Sequence, residues 1–291
     1  MNQPIVDILL PLALAFIMFA LGLTLTVGDF ARVFKRPRAM AIGLLGQVVL
    51  VPLLGYAIAT VAGLPPAMAA GLMIVAACPG GASSGLITHL ARGDTALSIS
   101  LTAVTSVAAV VTMPLVIDFA LRHFTGAGVG AELPVGKLVR GVFFLTTVPV
   151  ALGMLTKRLR PAFTARSVKT TERIATALLL LIVLATFASQ RQVLADNFAS
   201  VGPAALGLNL SVMLTGFALA ALAGLAWRDR IAIVVECGLH NAAVGIFISA
   251  TVLQAPAMTV PSVVYALLMN VTALAVIFLM RRHGARLYAT G

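Results

Sequence analysis

A chain of 291 residues, 60% of them hydrophobic and only 10% charged, has too little polar side chain to cover a soluble globule. Its mean hydropathy of +1.07 marks a polytopic membrane protein, and no polar stretch is long enough for a separate soluble domain. The formal net charge of +11 would suit nucleic acid, but the placing of the basic residues along the chain gives it another meaning.

Nine hydrophobic segments follow one another, at roughly 5–27, 40–61, 68–90, 95–121, 138–156, 174–190, 199–226, 231–253 and 261–280. Each is near the ~20 residues a spanning helix needs. The first lacks the basic n-region and the cleavage site of a signal peptide, so it reads as a span. Basic residues gather in alternate loops. Arg32, Lys35, Arg36 and Arg38 follow the first span, and Arg92 follows the third. Lys157, Arg158, Arg160, Arg166, Lys169 and Arg173 follow the fifth, Arg228 and Arg230 the seventh, and Arg281, Arg282 and Arg286 the ninth. Sixteen of the 20 basic residues therefore share one side, which the positive-inside rule assigns to the cytoplasm. Nine spans then put the N-terminus outside and the C-terminus inside. The charge is a topology signal, and the bilayer rather than nucleic acid is the partner it implies.

Two spans break the pattern. The third contains "AACPGGASSGL", residues 76–86, where Pro79-Gly80-Gly81 removes one backbone donor and adds two permissive residues, enough to break a helix. The eighth contains "VVECGLHNAAVGI", residues 234–246, with Glu236, His240 and Asn241 in an apolar run. Each is the third span of a four-span set, and the fifth span separates the sets, so they enter the membrane in opposite orientation. That is the arrangement of an inverted repeat with broken helices at matching positions, Cys78 and Cys237 being the best aligned pair.

An acid near mid-bilayer costs roughly 2.5 kcal/mol or more on insertion scales, so Glu236 needs a partner or a task. Beside a helix break it could join backbone carbonyls in holding a hard cation, carry a proton, or sit protonated against a neighbouring helix. Ser98 and Thr102, four apart at the start of the fourth span, share a helix face, with Thr105 nearby. Ser83 and Ser84 follow the first break and suit either helix contact or ligation. Gln47 and Asn270 are lone amides in the second and ninth spans, of a kind that commonly makes interhelical hydrogen bonds. His89 and His123 lie toward span ends, facing water or headgroups. One His without H-E-x-x-H spacing does not make a zinc site, and no phosphate-binding P-loop occurs. No nucleophile–base pair stands out, so the chain does not read as an enzyme.

The stretches "FALGLTL", "ACPGGASSGLITHLARGDTALSISLTAVTS" and "VECGLHNAA" resemble the bile acid:sodium symporter family along nearly the whole chain. The resemblance implies an all-α membrane protein, a single polytopic domain over 1–291 with nine transmembrane helices, an inverted repeat and two crossed broken helices. A panel (about 5–27, 138–156 and 174–190) would rock against a core (about 40–121 and 199–280). It implies a first Na⁺ site at Ser84, Ser98, Thr102 and Glu236, with Gly85 standing where the family has Asn. A second would use Gln47, Glu236, Cys237, Leu239 and His240, with His240 in place of a Gln. Each departure removes a side-chain oxygen. An imidazole offers nitrogen to Na⁺, and a protonated His240 would instead pair with Glu236 and weaken the Na⁺ dependence.

The implied substrate is an organic anion, such as a bile acid, a steroid sulfate or a pantoate-like carboxylate, held by Ala82, Ser83, Asn241 and Asn270 near the amide ends of the broken helices. The implied setting is a bacterial inner (plasma) membrane. Na⁺-independent or proton-linked transport, metalloid export by a Cys and a Glu on the crossed helices (sensitive to Cys78→Ser), and a membrane sensor are the alternatives. The oligomeric state is open.

Overall fold

The computed structural model describes residues 3–126 and 135–289, and no strand occurs among them. Helix α1 (Gln3–Thr24) ends two residues before α2 (Val27–Lys35), which turns away by 63°. Asp29 and Thr26 form a capping box at that corner, so the turn closes two of the donors a helix start leaves open. Then come α3 (Pro37–Val61), α4 (Pro66–Ala77), α5 (Ser84–Leu90), α6 (Thr95–Thr125) and α7 (Gly136–Leu159). The second half holds α8 (Pro161–Ser189), α9 (Arg191–Leu222), α10 (Trp227–Gly238), α11 (Ala242–Val252) and α12 (Val260–Ala289).

Six helices among the described residues are long and apolar enough to cross a membrane, or seven when the bent pair at α1 and α2 counts as one. The third and eighth hydrophobic segments, at 68–90 and 231–253, are pairs of short helices instead. Several helices outrun their apolar cores: α8 begins at Pro161 and α9 at Arg191, upstream of the segments starting near 174 and 199. Hydropathy marks what lies in hydrocarbon, whereas a helix continues until its hydrogen-bond ladder is stopped. The side chains of Arg282 and Arg286 lie outside the described ones.

Chain ends of the helices are made in matching ways in the two halves. Helix α3 closes with Gly63 at φ +57° and α9 with Gly224 at φ +63°. Beyond each, the next amide reaches back five residues, Leu64 N to Ala59 O at 3.2 Å and Leu225 N to Ala220 O at 3.0 Å. This is the Schellman closure, which needs a left-handed residue and so selects glycine. Past the short helices α5 and α11, Arg92 and Gln254 take positive φ, the two non-glycine residues among the described ones to do so.

Helix α1 packs on α7 and α8, while α4, α6, α9, α10 and α12 interlock as a second group. At the α1–α7 crossing, a Cβ on Gly22 would run into the Val150 carbonyl, and one on Gly153 into the Phe19 carbonyl. Lipid tails give no hydrophobic drive between helices, so such close backbone contact supplies the attraction. Lys157 adds a hydrogen bond to the Thr24 carbonyl at 2.6 Å, closing the α1 terminus from α7.

Candidate functional site

Pro79-Gly80-Gly81 does end α4, and a turn at Ala82 and Ser83 leads into α5; Leu239, His240 and Asn241 likewise separate α10 from α11. The two breaks lie against each other. Gly80 and His240 form an antiparallel bridge, Gly81 N donating to Leu239 O at 2.8 Å and Asn241 N to Pro79 O at 2.9 Å. Gly80 N also points at Thr105 Oγ1, 3.5 Å away. Each break thus lends the other the partners its lost helix turn would have supplied. The approach requires glycine at 80: a Cβ there would collide with Glu236 Oε1.

Beside this crossing, four residues singled out from the sequence meet. Thr102 Oγ1 donates to Glu236 Oε1 at 2.5 Å, and Ser98 Oγ donates to Oε2 at 2.8 Å. Ser84 Oγ is 3.0 Å from Thr102 Oγ1 and 3.4 Å from Ser98 Oγ. All four are buried. The helical spacing of Ser98 and Thr102 aims both hydroxyls from α6, the first turn of α5 supplies Ser84, and the last turn of α10 supplies the carboxylate. Every donor atom is oxygen, which suits a hard cation rather than a soft one.

Gly85 faces Ile99, whose Cγ1 would stand 3.1 Å from an added Cβ.

The second group is arranged otherwise. His240 is fully buried, lies flat on Tyr265 with ring centroids 5.3 Å apart, and neither ring nitrogen makes a hydrogen bond. The pairing of His240 with Glu236 expected from the sequence is not made: the carboxylate is satisfied by hydroxyls from α6, and the unwound chain turns the imidazole toward α12 instead. The Leu239 carbonyl is taken by Gly81 N. Gln47, in a π-helical stretch of α3, is buried with both amide atoms unpartnered, so it does not make the interhelical hydrogen bond expected of a lone amide. It lines a narrow cavity with Cys78, Pro79 and Thr105.

Two residues that the sequence reading passed over close the end of α10. Asn209 Nδ2 donates to Gly238 O at 2.7 Å, and Tyr265 Oη donates to the same carbonyl at 3.0 Å. Both are lone polar groups in apolar helices, the same signal that drew attention to Gln47 and Asn270.

Of the residues expected at an anion, Asn241 is buried and caps α11, accepting from Val244 N at 3.4 Å, and its Nδ2 lies 3.7 Å from Met18 Sδ on α1. Ser83 precedes α5 and is half-buried, and Ala82 is exposed. Asn270 is not brought to the breaks by a hydrogen bond: its Nδ2 donates within its own helix, to Ala266 O at 2.6 Å. The two cysteines do not converge. Cys78 Sγ donates to Ile74 O and packs toward Gly245, whereas Cys237 packs toward Gly46 and Gly216. No group of three or more His, Cys, Asp or Glu side chains forms among the described residues.

Comparison with known proteins shows which family the chain resembles. The Sodium Bile acid symporter family matches residues 11–197. The chain is 29% identical over 277 residues to a probable sodium/metabolite cotransporter of rice chloroplasts (BASS2), covering 95% of this chain and 64% of the relative. It is 29% identical over 261 residues to the sodium-dependent transporter YocS of Bacillus subtilis (strain 168), covering 89% and 78%. It is 26% identical over 240 residues to the human ileal sodium/bile acid cotransporter, covering 81% and 67%. The chain thus spans less than two thirds of the rice relative's length. With its helical architecture, apolar spans and matched profile, this chain is an integral membrane protein that belongs to the sodium bile acid symporter family.

Proposed function

We propose that this chain is a secondary transporter that carries a small or amphipathic organic anion across the membrane, driven by Na⁺. The observation that carries the reading is the buried carboxylate of Glu236 ringed by Ser84, Ser98 and Thr102 at the crossing of two broken helices. A charge there has to be compensated, and an oxygen-only donor set of this kind compensates it with a hard monovalent cation. Relatives named as sodium/metabolite and sodium/bile acid cotransporters support Na⁺ as the ion and an organic anion as the cargo. The reading is of a transporter rather than an enzyme.

The proposed architecture has nine spans: the bent first pair, six long helices and the two broken ones. Its repeat relates α3–α6 to α9–α12, which the matched closures at Gly63 and Gly224 and the matched positive φ at Arg92 and Gln254 support. Helices α1, α7 and α8 form the panel and the two repeats the core. The anion is placed between them, near Ala82, Ser83, Asn241 and Asn270. A single Na⁺ at the first cluster is proposed. In the second, Leu239 O is already engaged and His240 brings no oxygen, which leaves it short of ligands.

The test is uptake of labelled taurocholate and of labelled pantoate into proteoliposomes under an inward Na⁺ gradient, against a K⁺ gradient of equal strength. Accumulation of either anion with Na⁺ alone is expected. Equal accumulation in both salts would replace Na⁺ coupling by proton-linked or uncoupled transport, and binding without accumulation would make the protein a sensor.

A further inference from the structure

About two helix turns from the crossing, at the shared base of α6 and α10, one arginine is bonded to both helices. Arg36 Nη1 meets Asp94 Oδ2 at 2.6 Å, and Arg36 Nη2 meets Asp229 Oδ2 at 2.7 Å. Asp94 is the N-cap of α6, its Oδ1 accepting from Leu97 N at 3.0 Å, and Asp229 lies in the first turn of α10. Asp94 N donates to Arg228 O at 2.9 Å, so the two helix starts are also joined through the backbone. Between them Gly93 sits so close to Ile231 that a Cβ would approach its Cγ2 to 2.8 Å.

The arginine itself is held in place. Its amide donates to Arg32 O at 2.9 Å, its carbonyl accepts from Met40 N at 3.1 Å, and Pro37 stiffens the turn that follows. Asp229 is buried, its side chain 4% exposed, so without the guanidinium it would stand as a buried carboxylate lacking its ion pair. A planar guanidinium, with rigid donors on separate nitrogens, holds two carboxylates at once in fixed geometry; an ammonium on a flexible stem fixes them less firmly.

What stands on these two helices gives the clamp its meaning. Ser98 and Thr102 lie one and two turns above Asp94 on α6, and Glu236 lies two turns above Asp229 on α10. At ~1.5 Å of rise per residue, the cluster sits roughly 6–12 Å from the clamp on both rods. A rotation or slide of α10 against α6 at the base therefore reaches the Glu236–Ser98 and Glu236–Thr102 contacts almost undiminished.

We infer that Arg36 is a positioning residue: by bridging Asp94 and Asp229 it sets the register of α6 against α10, and through it the spacing of Glu236 from Ser98 and Thr102. This rests on the reading of that cluster as the cation site, and the experiment below separates the two.

Purified full-length protein is titrated with NaCl at constant ionic strength, KCl making up the balance, and thermal stability is followed. Arg36→Gln is expected to raise the Na⁺ concentration for half-maximal stabilisation about tenfold. Arg36→Lys, which keeps the charge and is the variant to use if Arg36→Gln fails to fold, is expected to recover only part of the shift. Arg122→Gln, which removes an exposed pair with Asp118 one turn away on the same helix, should leave the titration unchanged. An unchanged Na⁺ midpoint in both Arg36 variants overturns the inference.

A second measurement does not depend on Na⁺. Hydrogen exchange in Arg36→Gln or Arg36→Lys should lose protection by about tenfold or more around residues 98–102 and 234–239, beyond the helix starts. Loss confined to residues 94–97 and 229–231 would make Arg36 a local cap and overturn the proposal. Should the unaltered protein show no Na⁺-specific stabilisation, the coupling reading falls by itself, and the exchange pattern still decides the clamp.

Discussion

Glu236 keeps its carboxylate among hydroxyls instead of facing an arginine or lysine, and that choice separates binding from stability. Serine and threonine bond its oxygens without supplying a counter-charge, which is what the proposed Na⁺ site requires. Glu236→Gln preserves the shape and can still bond Ser98 and Thr102. It should therefore keep its melting temperature in KCl and lose Na⁺-driven anion uptake by at least about tenfold, or ~1.4 kcal/mol of coupling. Uptake near the original level at equal folded abundance would refute the central role of this residue. Gly80→Ala acts on the same atoms from the other break. Its methyl would displace Glu236 Oε1 and crowd Thr102 Oγ1 at 3.2 Å, a clash with two buried side chains that costs about 1–3 kcal/mol and should lower both stability and the Na⁺ response. His240→Gln with Gly85→Asn tests the missing oxygens. Two amide oxygens are returned, provided Ile99 gives way beside residue 85, and the stabilisation by Na⁺ should strengthen. A Na⁺ titration identical to that of the parent protein would show that the two positions do not limit ion binding.

Between helices, the contrast is between contacts that hold and contacts that have to let go. The α1–α7 crossing is of the first kind, its two backbones nearly touching at Gly22 and Gly153. Gly22→Val should separate them and lower the melting temperature in detergent by several degrees, on the order of 2–4 °C for each kcal/mol lost. Gly207→Ala on α9, where an added Cβ meets nothing within 4 Å, should be neutral or slightly stabilising. A melting temperature unmoved by Gly22→Val would mean that small residues do not set this packing. Such relations show where sequence reading stops. That Pro79-Gly80-Gly81 breaks a helix, and that Ser98 and Thr102 share a face, follow from local chemistry. That the second break bonds the first, or that Ser84 comes within 3.4 Å of Ser98, depends on how elements more than 150 residues apart in one case cross in space. Asn209 and Tyr265 were legible by the same test as Gln47, as polar groups isolated in apolar helices. His240 was legible as an oddity, but not its partner: spacing of four predicts a shared helix face with Glu236, and the helix ends at Gly238. The charges at Arg36, Asp94 and Asp229 read as loop polarity until the loops are seen to meet.

For the whole molecule, the proposed cycle requires the group of helices around the crossing to move against α1, α7 and α8. One polar contact between them at the site is weak: Asn241 Nδ2 rests 3.7 Å from Met18 Sδ, a weak acceptor at the edge of hydrogen-bond reach. A contact of that kind gives up little when it opens, as a moving boundary should, while the backbone bonds between the two breaks hold them together as one body. Replacing Met18 and Asn241 by cysteine, in a chain whose Cys78 and Cys237 are changed to alanine, places one thiol on each side of the boundary. Joining them with a short bifunctional thiol reagent should stop Na⁺-driven uptake and spare Na⁺-induced thermal stabilisation, because the proposed cation cluster lies wholly on α5, α6 and α10. Reductive cleavage of the reagent should restore the uptake that the same cysteine variant shows before cross-linking. Uptake that continues at full rate in quantitatively cross-linked protein would show that α1 and α11 travel together, and the division into a panel and a core would have to be drawn elsewhere.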